Sequence, residues 1–164
     1  MADIQPEDAS NHRDSVVARV RSRLGERYGE CLVTEHGRVP VCCGSGRPHD
    51  AHCFHAHFLV FPGVPDIVPA ARHYFKQEQL FGSMAEAMTH ASTCYEYFYV
   101  STSQHHHLIL SSPLNAPRQL ARVLVAQATG RTDLSDWRST PQFDRVTLIA
   151  GDLKSLLDIE TKQS

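Results

Sequence analysis

The sequence lacks any long apolar run, carries no excess of charge of either sign and has a single tryptophan. No stretch approaches the roughly 20 apolar residues of a transmembrane helix, so we expect no membrane span. The net charge of −2 argues against a surface that coats nucleic acid. Secretory-signal, Cys-x-x-Cys and His-Glu-x-x-His patterns are missing, as are internal repeats and low-complexity tracts. These absences favour one globular domain over residues 1–164.

Cysteine is scarce and unevenly spaced. The odd total, the adjacent Cys42–Cys43 pair and the missing signal favour a reducing compartment, so we expect a cytoplasmic protein. Adjacent cysteines seldom form a disulfide, so this pair is interpreted as two loop thiols. The five cysteines are Cys31, Cys42, Cys43, Cys53 and Cys94.

The periodicity predicts an α+β fold with a small, mostly antiparallel sheet and flanking helices. Ser83 is a candidate N-cap with Glu86 in a capping box, and Asn115 is the predicted cap of the following helix. Residues 1–11 are expected to be flexible, and 112–164 to form a C-terminal helical extension. The predicted helices cover 14–28, 84–92, 116–129 and 152–159, and the predicted strands cover 31–34, 52–61, 95–100 and 106–111, with a turn at 101–104.

Histidine is in excess, with eleven copies, and the strand predicted over 52–61 is the most informative segment. Because side chains alternate along a strand, His55 and His57 share one face, together with Cys53. A single histidine is usually a satisfied core or surface group, but two on one strand face weaken that interpretation. The expectation for His105-His106-His107 is a solvated strand end, with a position near His57 as the alternative.

Two chemistries fit this strand. In the first, zinc is the cofactor, held by His52, Cys53, His55 and His57. In the second, no cofactor is needed, because a neutral imidazole can attack phosphorus and form a covalent intermediate. The preceding loop Gly44-Ser45-Gly46 can supply backbone N–H groups to phosphate oxygens.

The segment from His55 to Pro62 (His-Ala-His-Phe-Leu-Val-Phe-Pro) resembles the motif of the histidine triad (HIT) superfamily. In that motif, three histidines alternate with apolar residues and a proline often follows. The chain is also similar to bacterial HIT-like proteins with a C-terminal extension, through Glu35-His36-Gly37, Gln119-x-x-Arg122 and Trp137-Arg138. The resemblance covers about residues 14–145.

The resemblance implies a nucleotide phosphohydrolase or nucleotidyl transferase that acts at an α-phosphate of a nucleotide or nucleotide conjugate. It puts the nucleophile on His57 and a supporting hydrogen bond on His55. The implied substrate-binding residues are Glu35, Gly44, Ser45, Gly46, Gln119 and Arg122.

The chain departs from the HIT pattern in two ways. Leu59 stands at the third histidine position, and a register starting at Cys53 would instead make His55 central. Only about thirty residues precede Cys31, too few for the leading half that holds base and ribose in HIT domains. We expect later elements such as the 95–111 hairpin, a homodimer or a partner subunit to complete the sheet. A degenerate module that binds a nucleotide or a partner without catalysis is the alternative.

Overall fold

A computed structural model describes residues 6–37, 57–117, 119–135 and 142–157 of the chain, with side chains from residue 12 onward. The helices are α1 (Pro6–Tyr28), α2 (Val68–Ala71), α3 (Met84–Ala91), α4 (Leu120–Ala128) and α5 (Phe143–Leu157). The strands are β1 (Cys31–Gly37), β2 (Leu59–Pro62), β3 (Phe75–Phe81), β4 (Tyr97–Ser103) and β5 (His106–Pro113). Short 3-10 turns cover Arg72–Tyr74 and Thr132–Leu134.

The five strands form one antiparallel sheet in the order β2-β1-β4-β5-β3, which confirms the predicted α+β class. β1 is paired on both sides, with Thr34 opposite Leu59 of β2 and Val100 of β4. The 95–111 segment therefore does cover one edge of β1. Within the described residues, β2 and β3 form the two edges of the sheet.

Each sheet face carries an apolar cluster. On the face toward α1 and α3, Val33, Tyr99 and Ile109 of the sheet cluster with Val17 of α1. The opposite face packs against α2 and α4, and its buried members are Leu32, Ile67, Ala71, Phe75, Phe98, Val100, Leu108, Leu110, Leu120, Ala121 and Leu124. β1 lies between the two clusters, so both of its faces are buried.

The helix ends follow local chemistry. Gly29, at φ 92°, takes the left-handed conformation that ends α1, and its N–H donates to the Gly25 carbonyl at 3.0 Å. The predicted cap of α3 is confirmed, since the Ser83 hydroxyl accepts from the Glu86 N–H at 3.3 Å. None of the helices in the described ranges is long and apolar enough to cross a bilayer.

Several predicted boundaries are wrong. α4 begins at Leu120 rather than at 116, because Asn115 and Gln119 have φ values of 51° and 56°, which a right-handed helix cannot contain. α1 begins at Pro6, whereas the predicted helix begins at residue 14. The hairpin turn lies at Gln104 and His105, whereas the predicted turn covers 101–104, since β4 runs on to Ser103.

The remaining differences concern α5, β3 and α2. α5 starts at residue 143 rather than 152, and apolar side chains of its first half, such as Phe143 and Leu148, are exposed. β3 and α2 were not predicted. β3 is an edge strand whose middle residues, 76–80, are all exposed, so no alternation marks it.

Candidate functional site

Three consecutive buried polar side chains on β1 mark the candidate site. Thr34 and Glu35 are fully buried, and His36 is 8 % exposed. Among the described residues, no hydrogen-bond partner is found for Thr34 Oγ1, either Glu35 carboxyl oxygen or His36 Nδ1. Buried polar groups in proteins are nearly always hydrogen-bonded, so this run is where a ligand or a catalytic role is most expected.

His36 lies beside His57. The β1–β2 register pairs Thr34 with Leu59, and two further steps toward the end of β1 put His36 opposite His57, which just precedes β2. Burial lowers the pKa of His36, a backbone hydrogen bond acts in the opposite direction, and the nearby His57 imidazole lowers it again. Because the net pKa lies below the ordinary 6.5, His36 is neutral at pH 7. His57 itself is exposed. The structure thus brings a buried neutral imidazole and an accessible one together at the start of β2.

Glu35 points to the opposite face of the sheet, toward α1. Burial raises the pKa of its carboxyl, while the Tyr97 phenol and the Arg13 guanidinium act in the opposite direction. The Tyr97 phenol approaches the carboxyl without reaching hydrogen-bond geometry, and its own pKa is raised by burial and by Glu35. Glu35 and His57 were both predicted site residues, and the sheet separates them.

Phe58 fixes the chain next to His57. Its ring packs edge-on against Tyr99, with centroids 6.0 Å apart, on the α1 face. The Arg13 guanidinium lies 6.0 Å from the Phe58 ring centroid and forms an ion pair with Asp14 at 2.8 Å. Since neighbouring side chains in an extended segment alternate, anchoring Phe58 on this face directs His57 to the other.

α4, which follows Gln119 and contains Arg122, packs over the sheet face of Leu59. Gln119 precedes the first turn of α4, and Arg122 is exposed on its outer side. Leu120 and Leu124 of the same helix are buried in the cluster that Leu59 joins. Leu59, at the third motif position, is therefore a packing residue.

The predicted phosphate cradle and most of the predicted metal ligands lie outside the described residues. These are Gly44, Ser45, Gly46, His52, Cys53 and His55, and Cys42, Cys43, Trp137 and Arg138 lie outside as well. Within the described ranges, no three His, Cys, Asp or Glu side chains group to hold a metal. Of the proposed zinc ligands, only His57 can be placed.

The three histidines at the β4–β5 hairpin differ in burial. His105 and His106 are exposed as expected, but His107 is buried, so the solvated interpretation is wrong for it. His107 Nε2 lies 2.9 Å from the Gln104 carbonyl, which can only accept, so Nδ1 accepts from the Tyr99 hydroxyl at 2.7 Å. Burial lowers the pKa of His107, while the hydrogen bond to the Gln104 carbonyl acts in the opposite direction, and the two hydrogen bonds make His107 a structural residue.

The pairing of His36 with His57 was not predicted. His36 was singled out from the sequence only as part of the Glu-His-Gly strand end. The two strands next to His36 and His57 could be predicted from the sequence. Their register could not, because it depends on packing between segments distant in sequence.

Comparisons with protein-family models, with curated proteins and with solved structures find no match to this chain.

Proposed function

We propose that this chain is a HIT-like nucleotide phosphohydrolase or nucleotidyl transferase in which His57 attacks an α-phosphate. The observation that carries the proposal is the accessible His57 imidazole beside the buried, neutral His36, whose Nδ1 has no partner among the described residues. Support from the sequence comes from the His-Ala-His motif. The support of His57 by His55 rests on the resemblance alone.

The proposed chemistry has two steps. A neutral His57 nitrogen forms a bond to the α-phosphorus while the bond to the leaving group breaks, which gives a nucleotidyl-histidine. Water or another acceptor then breaks the P–N bond and regenerates the imidazole. A neutral His36 suits this two-step reaction. A second positive charge beside His57 would oppose the cationic character that His57 gains as it bonds to phosphorus.

Intermediate trapping on the full chain tests this function. The protein is mixed with a panel of dinucleoside polyphosphates and nucleoside phosphoramidates, quenched in acid and mapped by mass spectrometry. We expect a nucleoside monophosphate adduct on His57 and multiple turnovers. His57→Ala should abolish both, and the exposed His106→Ala should leave both unchanged. Full turnover by His57→Ala, without an adduct in the active protein, would rule out the proposal.

The second candidate function is a HIT-like module that binds a nucleotide or a partner without chemistry. The observation in its favour is Leu59, because a residue packed against the apolar cluster cannot contact phosphate as a third histidine would. This candidate predicts saturable nucleotide binding by calorimetry with no turnover, and binding that survives His57→Ala. Turnover that His57→Ala abolishes would exclude it.

The proposal includes a cytoplasmic setting and a homodimer or partner subunit. The two described free thiols, Cys31 and Cys94, suit a reducing compartment. The two edge strands β2 and β3 are the backbone surfaces to which a second sheet would add.

A further inference from the structure

A second site lies on the α3 side of the sheet, the face opposite His36. Here the end of α3, the segment leading into β4 and the end of β5 surround a groove of about 380 Å³. That volume lies within the roughly 300–1,000 Å³ typical of small-molecule sites. The groove contains a thiol and an imidazole, Cys94 and His90, that the proposed function does not use.

The two side chains meet because the chain turns at the end of α3. The Cys94 N–H donates to the Ala91 carbonyl at 3.0 Å, which folds the segment back over the last helical turn. Cys94 Sγ then lies 3.8 Å from His90 Nε2 and 3.7 Å from the His90 carbonyl oxygen. The His90 ring also packs on Phe81, with centroids 5.2 Å apart, which holds the imidazole in place.

Cys94 differs from the other described cysteine in access. Its thiol is partly exposed and lines the groove. Cys31 is only 2 % exposed, and its Sγ lies 3.6 Å from the Arg21 carbonyl oxygen. A disulfide in solution can therefore approach Cys94 and not Cys31.

The opposite wall of the groove is polar. The hydroxyls of Ser111 and Ser112 both donate to Gln77 Oε1, at 3.3 and 3.4 Å. Glu96 adds a carboxyl group, and the Tyr95 side chain is 76 % exposed at the rim. This lining suits a small polar molecule with amide or amine donors more than an apolar one.

We propose that Cys94 is a thiol-modification site for small polar disulfides, with His90 as the proton acceptor. The Cys94 proton passes to His90 Nε2, and the thiolate attacks one sulfur of the disulfide. The new Sγ–S bond forms as the old S–S bond breaks, and the departing thiolate takes the proton back from His90. The protein thiol is oxidised to a mixed disulfide, and half of the small disulfide is reduced to a free thiol.

Site-resolved modification kinetics test this inference. The reduced full chain is incubated with oxidised glutathione at pH 7, quenched in acid and mapped by mass spectrometry. We expect a mixed disulfide at Cys94 that excess reduced glutathione reverses, and no reaction at Cys31. His90→Gln should slow the reaction at Cys94 about tenfold or more, and the difference should narrow above pH 9, where thiols ionise unaided.

His106→Gln is the matched control, because His106 is exposed on β5 and does not line the groove. It should leave the Cys94 rate unchanged. Equal rates for the wild type and His90→Gln would overturn the inference. If His90→Gln does not fold, the test is the rate of reaction at Cys94 of the wild type, compared in native buffer and in urea. Faster reaction at Cys94 in the native protein than in urea supports the site, and reaction that requires urea overturns it.

Discussion

Among the described residues, Glu35 carries the clearest conflict between burial and charge. Its carboxyl group is fully buried and lacks hydrogen bonds from the described residues. Burial raises its pKa above the ordinary 4.5, so the folded chain retains a proton that the unfolded chain releases. Stability that depends on this group is complete below pH 4.5 and is lost as the pH rises through the folded-state pKa.

We therefore expect Glu35→Gln to stabilise the fold at high pH. Glutamine resembles the protonated carboxyl in shape and cannot ionise. Its free energy of unfolding should match that of the wild type at pH 4 and exceed it by about 1 kcal/mol at pH 8. Urea denaturation across this pH range measures the difference.

Glu26→Gln is the control, since Glu26 is exposed on α1 and should show little pH-dependent change. A Glu35→Gln effect that is equal at both pH values would show that folding does not raise the pKa of Glu35.

For single residues, the sequence indicated which side chains matter but not how they pair. His57 was singled out from its motif, and its position beside His36 needed the β1–β2 register. Glu35 was assigned to the same site as His57. Because adjacent residues on a strand face opposite ways, Glu35 faces away from His36, the residue that lies beside His57. Whether Glu35 faces solvent or a covered surface depends on α1 and β4, which local sequence does not reveal.

At the scale of the elements, α1 and β1 each contain a glycine, and the two differ in how much space a side chain would have. A methyl group added at Gly25, inside α1, would meet no atom of another element within 4 Å among the described residues. A methyl group added at Gly37, the last residue of β1, would overlap the Tyr97 ring. The ring crosses the backbone there because Gly37 has no side chain.

Gly25→Ala and Gly37→Ala should thus change stability in opposite directions. We expect Gly25→Ala to raise the free energy of unfolding by up to about 1 kcal/mol, since alanine restricts the unfolded chain and favours helix. Gly37→Ala should lower it by about 1–3 kcal/mol, because the ring must move. Chemical denaturation of both variants measures these values.

A double-mutant cycle identifies the cause. In a Tyr97→Ala background, the penalty of Gly37→Ala should largely disappear. A penalty that persists there would locate the strain in the β1 backbone instead.

The predicted elements succeed where a local signal exists. α3 has its Ser83 cap, and β4 and β5 form the expected hairpin. α4 begins late because two left-handed residues precede it, and their conformation is not encoded by a helix pattern. β3 is stabilised by pairing with β5 rather than by a buried face of its own, so its sequence shows no alternation.

Across the whole molecule, the segment after residue 112 plays two roles. α4 contributes Leu120, Ala121 and Leu124 to the main apolar cluster, so it is part of the core. α5 leaves large apolar side chains exposed, among them Phe143, Val146 and Leu148. The two helices should respond differently to the same substitution.

Leu124→Ala should lower the free energy of unfolding by about 2–5 kcal/mol, because Leu124 is 1 % exposed and its removal leaves a cavity. Leu148→Ala, at a side chain that is 69 % exposed, should change it by less than about 0.5 kcal/mol. Thermal and urea melts of the full chain measure both. A large loss for Leu148→Ala would mean that α5 is covered in solution, for example by a second chain.

The antiparallel pairing of β1 with β4 also governs when the polar run of β1 becomes buried. It joins residue 33 to residue 101, so β1 leaves the ribosome long before its partner exists. At about 5–20 residues per second, the 66 residues between the end of β1 and the end of β4 take roughly 3–13 s to synthesise. Throughout that interval the β4 side of Thr34, Glu35 and His36 stays uncovered, and the desolvation that shifts the pKa values of Glu35 and His36 is completed only once β4 has emerged.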